Sequence, residues 1–155
     1  RFARFGLTIH PKKSKLLNFS RPSNKGGKGP STFDFLGFTH YWGKTRRGGY
    51  CIKRKTRRKK LLSAMKRVWI WCKENRHITI TEQHQMLSVK LRGHYQYYGI
   101  RSNYKMLEVF YEYVQRTWKK WLGRRSRNGY ITWEKLEEKY LKVFPLPTPR
   151  IVHRL

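Results

Sequence analysis

Leu91-Arg92-Gly93-His94-Tyr95-Gln96-Tyr97-Tyr98-Gly99-Ile100-Arg101 is the stretch on which the reading of the chain turns. At 3.6 residues per turn, Leu91, Tyr95 and Tyr98 fall on one helical stripe and Arg92 and Gln96 on another. One face buries, and Arg92, Gln96 and Arg101 are left to meet a polyanion. Gly93 inside such a helix costs ~1 kcal/mol relative to Ala, so a tight helix crossing or close backbone approach is expected there. Gly99 ends the helix.

Upstream, Thr79 and Glu82 have the spacing of a capping box and start this helix, which also carries Met86 and Leu87. The helix before it has Leu61, Leu62, Met65, Val68, Trp69 and Cys72 on one stripe, with Thr56 as its cap and Glu74-Asn75-Arg76-His77 as its end. After the central stretch, Ser102 or Asn103 caps a third helix with Leu107, Phe110, Tyr111, Val114, Trp118 and Trp121 on its apolar side. Its last turns carry Lys119, Lys120, Arg124 and Arg125, where positive charge suits the helix dipole. Asn128-Gly129 turns the chain, and Thr132 caps a fourth helix through Trp133, Leu136, Tyr140 and Leu141. Pro145, Pro147 and Pro149 make the tail extended.

The first third reads differently. Arg1 to Leu7 looks like the end of a helix stopped by Gly6, with chain expected upstream. Gly6 to Phe19 reads as two short strands around Pro11-Lys12-Lys13-Ser14, and residues 20–31 as a Gly- and Ser-rich linker whose lysines reach solvent or phosphate. Phe33 to Trp42 places aromatic residues at near-alternate positions, as one strand interrupted at Gly37 by a bulge or a close approach of backbone or nucleic acid. Gly43 to Gly49 is the turn and Tyr50-Cys51-Ile52 the return strand. The sequence thus predicts an α+β fold: a hairpin-rich piece over 1–55, a bundle of three to four helices over 56–144 and an extended tail over 145–155.

The 155 residues hold 37 Lys plus Arg against 8 Asp plus Glu, a formal charge of +29. Such self-repulsion does not help a fold, so the charge exists to be neutralised by a dense polyanion, nucleic acid first and an acidic membrane surface second. Basic residues outnumber acidic ones 8 to 0 over 1–31, 10 to 1 over 32–60, 7 to 2 over 61–101 and 12 to 5 over 102–155, which excludes a single basic arm. At 15% aromatic content the chain has the large rings of a packed core, not a disordered tail. Lys53-Arg54-Lys55-Thr56-Arg57-Arg58-Lys59-Lys60 joins the hairpin to the first long helix. Cations at the positive end of a helix call for an external anion, so Lys53, Arg54, Lys55, Arg57, Arg58, Lys59 and Lys60 are candidate phosphate ligands.

Enzyme signatures are sparse. The carboxylates Asp34, Glu74, Glu82, Glu108, Glu112, Glu134, Glu137 and Glu138 are scattered, most of them on helix surfaces where Lys or Arg can pair with them. They form no two-metal site, and no metal ligands are assigned. His94 reads as a packed residue rather than a base. Cys51 and Cys72 form neither a disulfide framework nor a zinc ribbon. With no apolar run long enough for a bilayer, the expectation is a soluble protein of a reducing compartment, bacterial cytoplasm or organellar matrix, with no membrane partner.

Phe35-Leu36-Gly37-Phe38, the basic run after the hairpin, Leu91 to Gly99, Trp118 to Ser126 and Pro147-Thr148-Pro149-Arg150-Ile151-Val152-His153 together resemble a group II intron reverse transcriptase, or intron maturase. The resemblance covers essentially the whole chain. It implies that residues 1–55 are the last part of the polymerase palm and 56–144 the maturase-specific thumb. It implies RNA-directed DNA synthesis in which this segment binds intron RNA to assist splicing and holds the template–primer duplex, beside upstream fingers and palm. The aspartate turn that binds catalytic Mg2+ in the family is absent here and is expected upstream, so no cofactor is assigned to this chain. By the same resemblance Lys13 is the general acid toward leaving pyrophosphate, the alternative being a turn lysine on phosphate or in solvent. Phe35, Leu36, Gly37 and Phe38 correspond to the hairpin that grips the primer end. The rival reading is a non-enzymatic basic RNA-binding scaffold.

Overall fold

A computed structural model of the chain describes residues 2–8, 10, 14, 16–22, 32–127 and 129–153. It has an α+β fold, a three-stranded antiparallel sheet followed by helices. The strands are β1 (Phe33–Phe35), β2 (Phe38–Lys44) and β3 (Tyr50–Thr56), in the order β1-β2-β3. The helices are α1 (Arg58–Glu74), α2 (Ile80–Tyr98), α3 (Tyr104–Gly123) and the short α4 (Trp133–Leu136), which runs into a π-helical turn at Glu137–Leu141. A 3-10 turn, Phe2–Phe5, ends at Gly6 with φ +65°, as a glycine stop requires.

The aromatic run holds two strands instead of one bulged strand. Phe35 pairs with Phe38 across the two-residue turn Leu36-Gly37, whose φ angles of 46° and 81° are the positive pair demanded by a type I′ hairpin. A leucine in that conformation is uncommon, and for that reason the turn does not announce itself in sequence. The return strand also runs past Ile52 to Thr56, so Lys53, Arg54 and Lys55 belong to β3. No strand forms among the described residues between Gly6 and Pro22, contrary to the reading of two strands there. Instead Phe19 docks on the sheet, stacking on Trp42 at 5.5 Å and accepting the Trp42 indole N–H at its carbonyl.

Three expected helix caps go elsewhere. Thr56 lies in β3, and α1 begins after Arg57 with no side-chain cap. Asn103 immediately precedes α3, but its amide binds Thr56, and Ser102 Oγ accepts from the Arg54 N–H and donates to the Arg54 carbonyl. Long-range pairing with an otherwise unsatisfied strand edge displaces the local capping bond. By contrast, Thr79 and Glu82 do form their capping box, and Thr132 caps α4.

The core lies between the helices. Leu61, Ala64, Val68 and Cys72 of α1 meet Leu107, Phe110, Val114 and Trp118 of α3 and Leu87, Leu91 and Tyr95 of α2. Each fully buried Leu adds ~1.5–3 kcal/mol by leaving water, and Leu91→Ala would cost ~2–5 kcal/mol with its cavity. Leu62, Met86 and Trp133 lie outside this core and are exposed, because each projects beyond the edge of its buried stripe. Burial pushes the Cys72 thiol up to about 12, which makes it an inert core residue. The tail is extended and runs back along α2: Tyr95 Oη donates to the Pro147 carbonyl at 3.0 Å, and Val152 and His153 donate to the Gly99 carbonyl at 2.7 and 2.9 Å. A Cβ at Gly99 would strike the Tyr95 carbonyl oxygen, so only glycine fits this junction.

Two further expectations fail. Among the described residues a Cβ built on Gly93 meets nothing within 4 Å, so none of their helices crosses tightly there. Among the described residues only Asp34 with Arg57 and Glu112 with Arg116 form ion pairs. The helix carboxylates are too few and too dispersed to pair with the surrounding cations.

Candidate nucleic-acid interface

Strand alternation puts Phe33, Phe35, Phe38, His40, Trp42 and Arg54 on one face of the sheet, through the pairs Phe35 with Phe38, Phe33 with His40 and His40 with Arg54. The C-terminal end of α2 crosses this face. Phe38 stacks parallel to Tyr97 at 6.0 Å and meets Tyr98 edge-on at 5.3 Å, while Tyr97 Oη donates to the Leu36 carbonyl at 2.9 Å. Gly37 allows this approach, since its Cβ would sit 3.1 Å from Tyr98 Oη. Its close packing partner is therefore α2.

Between hairpin and helix lies a groove of about 540 Å3, lined by Phe35, Leu36, Phe38, His40, Arg54, Gln96, Tyr97, Ile100 and His153. Phe35 and Tyr97 are 59% and 52% exposed, a large aromatic surface to leave in water. The Arg54 guanidinium has no acidic partner among the described residues. Burial, followed by Arg54, lowers the pKa of His40, so His40 is neutral at pH 7. His153 Nε2 lies 2.7 Å from the Gln96 carbonyl; because a carbonyl only accepts, Nε2 carries the proton. The groove combines π faces, two imidazoles and one guanidinium without an acidic partner among the described residues, a set suited to unstacked bases and a phosphate.

A second basic surface lies at the start of α1. Arg57, Arg58 and Lys59 line a shallow depression of about 420 Å3 with Asp34, Thr39 and Leu62. Arg57 Nε is 2.8 Å from Asp34, whose other oxygen accepts from Thr39 Oγ1 at 2.6 Å, so Arg57 is already compensated. Arg58, Lys59 and Lys60 stay exposed in a first turn without acidic residues.

The predicted residues thus fall into separate groups. Phe35, Leu36, Phe38, Arg54 and Gln96 come together in the groove, and Gly37 packs behind it. Lys53 and Lys55 point from the other sheet face: Lys53 Nζ donates to the Lys44 carbonyl at 2.7 Å and Lys55 Nζ sits 5.3 Å over Tyr41. Arg92 is exposed one turn before Gln96 on α2, and Arg101 is exposed beyond its end. Lys13 lies outside the described residues. Sequence reasoning missed Tyr97, His40 and His153 as groove residues. The helical period signals Tyr97, which it turns outward beside the inward Tyr98; the tail's docking, which brings His153 in, has no local signal.

Among the described residues no three His, Cys, Asp or Glu side chains converge as metal ligands, so none is assigned to hold magnesium. Among the same residues no helix is long and apolar enough to cross a membrane. Comparison with family models, curated proteins and solved structures gave no match to this chain.

Proposed function

We propose that this chain is the C-terminal part of a group II intron reverse transcriptase, which binds intron RNA to assist splicing and holds a template–primer duplex. In this reading the sheet belongs to the palm and the helices to the thumb. The observation that carries it is positive charge left largely unpaired across the chain, together with an aromatic groove that holds Arg54. There are 37 basic residues against 8 acidic ones, and only two ion pairs form among the described residues. The cations act on phosphates, which fix position, while the groove's rings stack bases. Splicing chemistry would remain with the RNA, and polymerisation with an aspartate site on a preceding segment. Lys13 keeps its proposed role as general acid toward pyrophosphate.

The test is binding of structured RNA as a function of salt. Log affinity falls by ~0.7–0.9 per phosphate contact for each decade of salt, so a steep slope is expected. A flat response overturns the reading. Primer extension on an RNA template supplied with magnesium should be absent for this chain alone; strong extension would show that the catalytic groups are within it.

A further inference from the structure

A second cavity, about 280 Å3, opens between α1, α2 and α3, with Tyr97 as the wall it shares with the hairpin groove. Its lining includes Arg67, Lys90, Gly93, His94, Tyr97 and Phe110. Gly93 is the first clue. A glycine in mid-helix costs ~1 kcal/mol relative to Ala, yet its φ is not in the left-handed region and a Cβ there would touch nothing. Neither backbone conformation nor packing among the described residues requires glycine; its missing side chain widens the cavity.

His94 is the second clue. Its ring stacks on Phe110 at 3.9 Å, and its Nε2 is buried with no hydrogen-bond partner among the described residues. Buried polar atoms without partners are rare and call for an explanation. Burial, followed by the charge of Arg67, brings His94 down to about 4, so the imidazole is neutral at pH 7. At the mouth, Arg67 is exposed and has no carboxylate partner among the described residues, and Lys90 Nζ lies 5.3 Å over the Trp71 ring.

We infer that this cavity takes a single unstacked nucleotide from an RNA loop, its base over Gly93 beside Tyr97 and His94 and its phosphate on Arg67. The inference rests on the RNA-binding reading above and adds a second, single-nucleotide site to it. The volume, about 280 Å3, lies at the lower end of small-molecule pockets, which begin at ~300 Å3, and suits one base. RNA loops present such splayed bases, whereas continuous duplex does not.

The experiment uses the full chain and two RNAs with equal numbers of phosphates: a stem-loop with 2-aminopurine in its loop, and a blunt duplex. Gly93→Leu fills the cavity from inside. It should weaken stem-loop binding about tenfold, as expected for removing one base–aromatic stack, and leave duplex binding within about twofold. The 2-aminopurine signal on binding should vanish with it. Gly93→Ala, which meets no neighbour, keeps the test valid if the leucine variant fails to fold; it should melt higher than the parent yet bind the stem-loop less tightly. Unchanged stem-loop affinity in a folded variant, or equal losses on both RNAs, overturns the site. Failure of the parent chain to bind either RNA overturns the RNA-binding reading, and the site falls with it.

Discussion

Asn103 immediately precedes α3 but gives its amide to β3 and α2. Its Oδ1 accepts from the Thr56 backbone N–H at 2.6 Å, and its Nδ2 donates to Thr56 Oγ1 at 2.8 Å and to the Tyr98 carbonyl at 2.9 Å. Both residues are buried, so this amide is the polar junction of sheet and bundle. Asn103→Ala strands the buried Thr56 N–H, while the Tyr98 carbonyl keeps the Ile100 N–H at 2.8 Å. Urea unfolding should show a loss of ~1–3 kcal/mol, the cost of one unpaired buried group. A loss below about 0.5 kcal/mol, within the range of ordinary surface changes, would mean that water or a neighbour replaces the amide.

A similar junction ties α1 to α2 and α3. Gln83 is buried in the first turns of α2, accepts the Trp118 indole N–H at Oε1 (2.8 Å) and donates from Nε2 to the carbonyls of Asn75 and Arg76 at 2.9 and 3.2 Å. It satisfies the chain end of α1, whose last carbonyls have no helical partner. Gln83→Leu keeps the volume and removes every bond, so ~2–4 kcal/mol of stability should go. The Trp118 indole proton should then exchange faster with solvent. An unchanged exchange rate would place its protection elsewhere.

These junctions also mark how far the sequence can be read. Thr79 and Glu82 were legible because both halves of a capping box lie within four residues and follow one local rule. Asn103 and Ser102 are N-cap residue types just before α3, but partners 47 and 48 residues away in β3 outcompete the local cap. The apolar stripe of α3 was legible from period alone. The Leu36-Gly37 turn was not, since leucine rarely takes φ 46° and the aromatic alternation runs through it. The same limit holds for the candidate site. Phe35, Phe38, Arg54 and Gln96 were each legible by residue type, whereas their meeting in one groove depends on how α2 crosses the hairpin. Gly93 differs, because a mid-helix glycine signals close packing, whereas here it faces open space among the described residues.

His94 makes stability depend on pH. The unfolded chain takes up a proton on this residue below about 6.5, while the folded chain holds the ring neutral down to about 4, through burial first and Arg67 second. Between these values the unfolded state binds more protons, so stability rises with pH. The contribution is complete above 6.5 and is lost as pH falls toward 4, at up to about 1.4 kcal/mol per unit. His40, lowered by burial and then Arg54, adds to the slope in the same direction. Urea midpoints at pH 7 and pH 5 should therefore differ less in His94→Phe than in the parent. Equal differences would show that His94 is not held neutral.

The start of α1 separates structural from functional charge by sign. Arg58, Lys59 and Lys60 occupy a first turn with no acidic residue and no side-chain cap, so their charge opposes the helix dipole. Replacing all three by Ala should raise the melting temperature, since relieving each unfavourable charge–dipole interaction is worth ~0.3–1 kcal/mol at low salt. The same variant should bind structured RNA more weakly, its salt slope shallower by ~0.7–0.9 for each phosphate that it no longer neutralises. Arg57→Ala should alter the slope less than Arg58→Ala, because Asp34 already neutralises Arg57 at 2.8 Å. A lower melting temperature in the triple variant would make the tract structural. An unchanged slope would take the phosphates away from this end of α1 and leave the groove around Arg54 as the place where they bind.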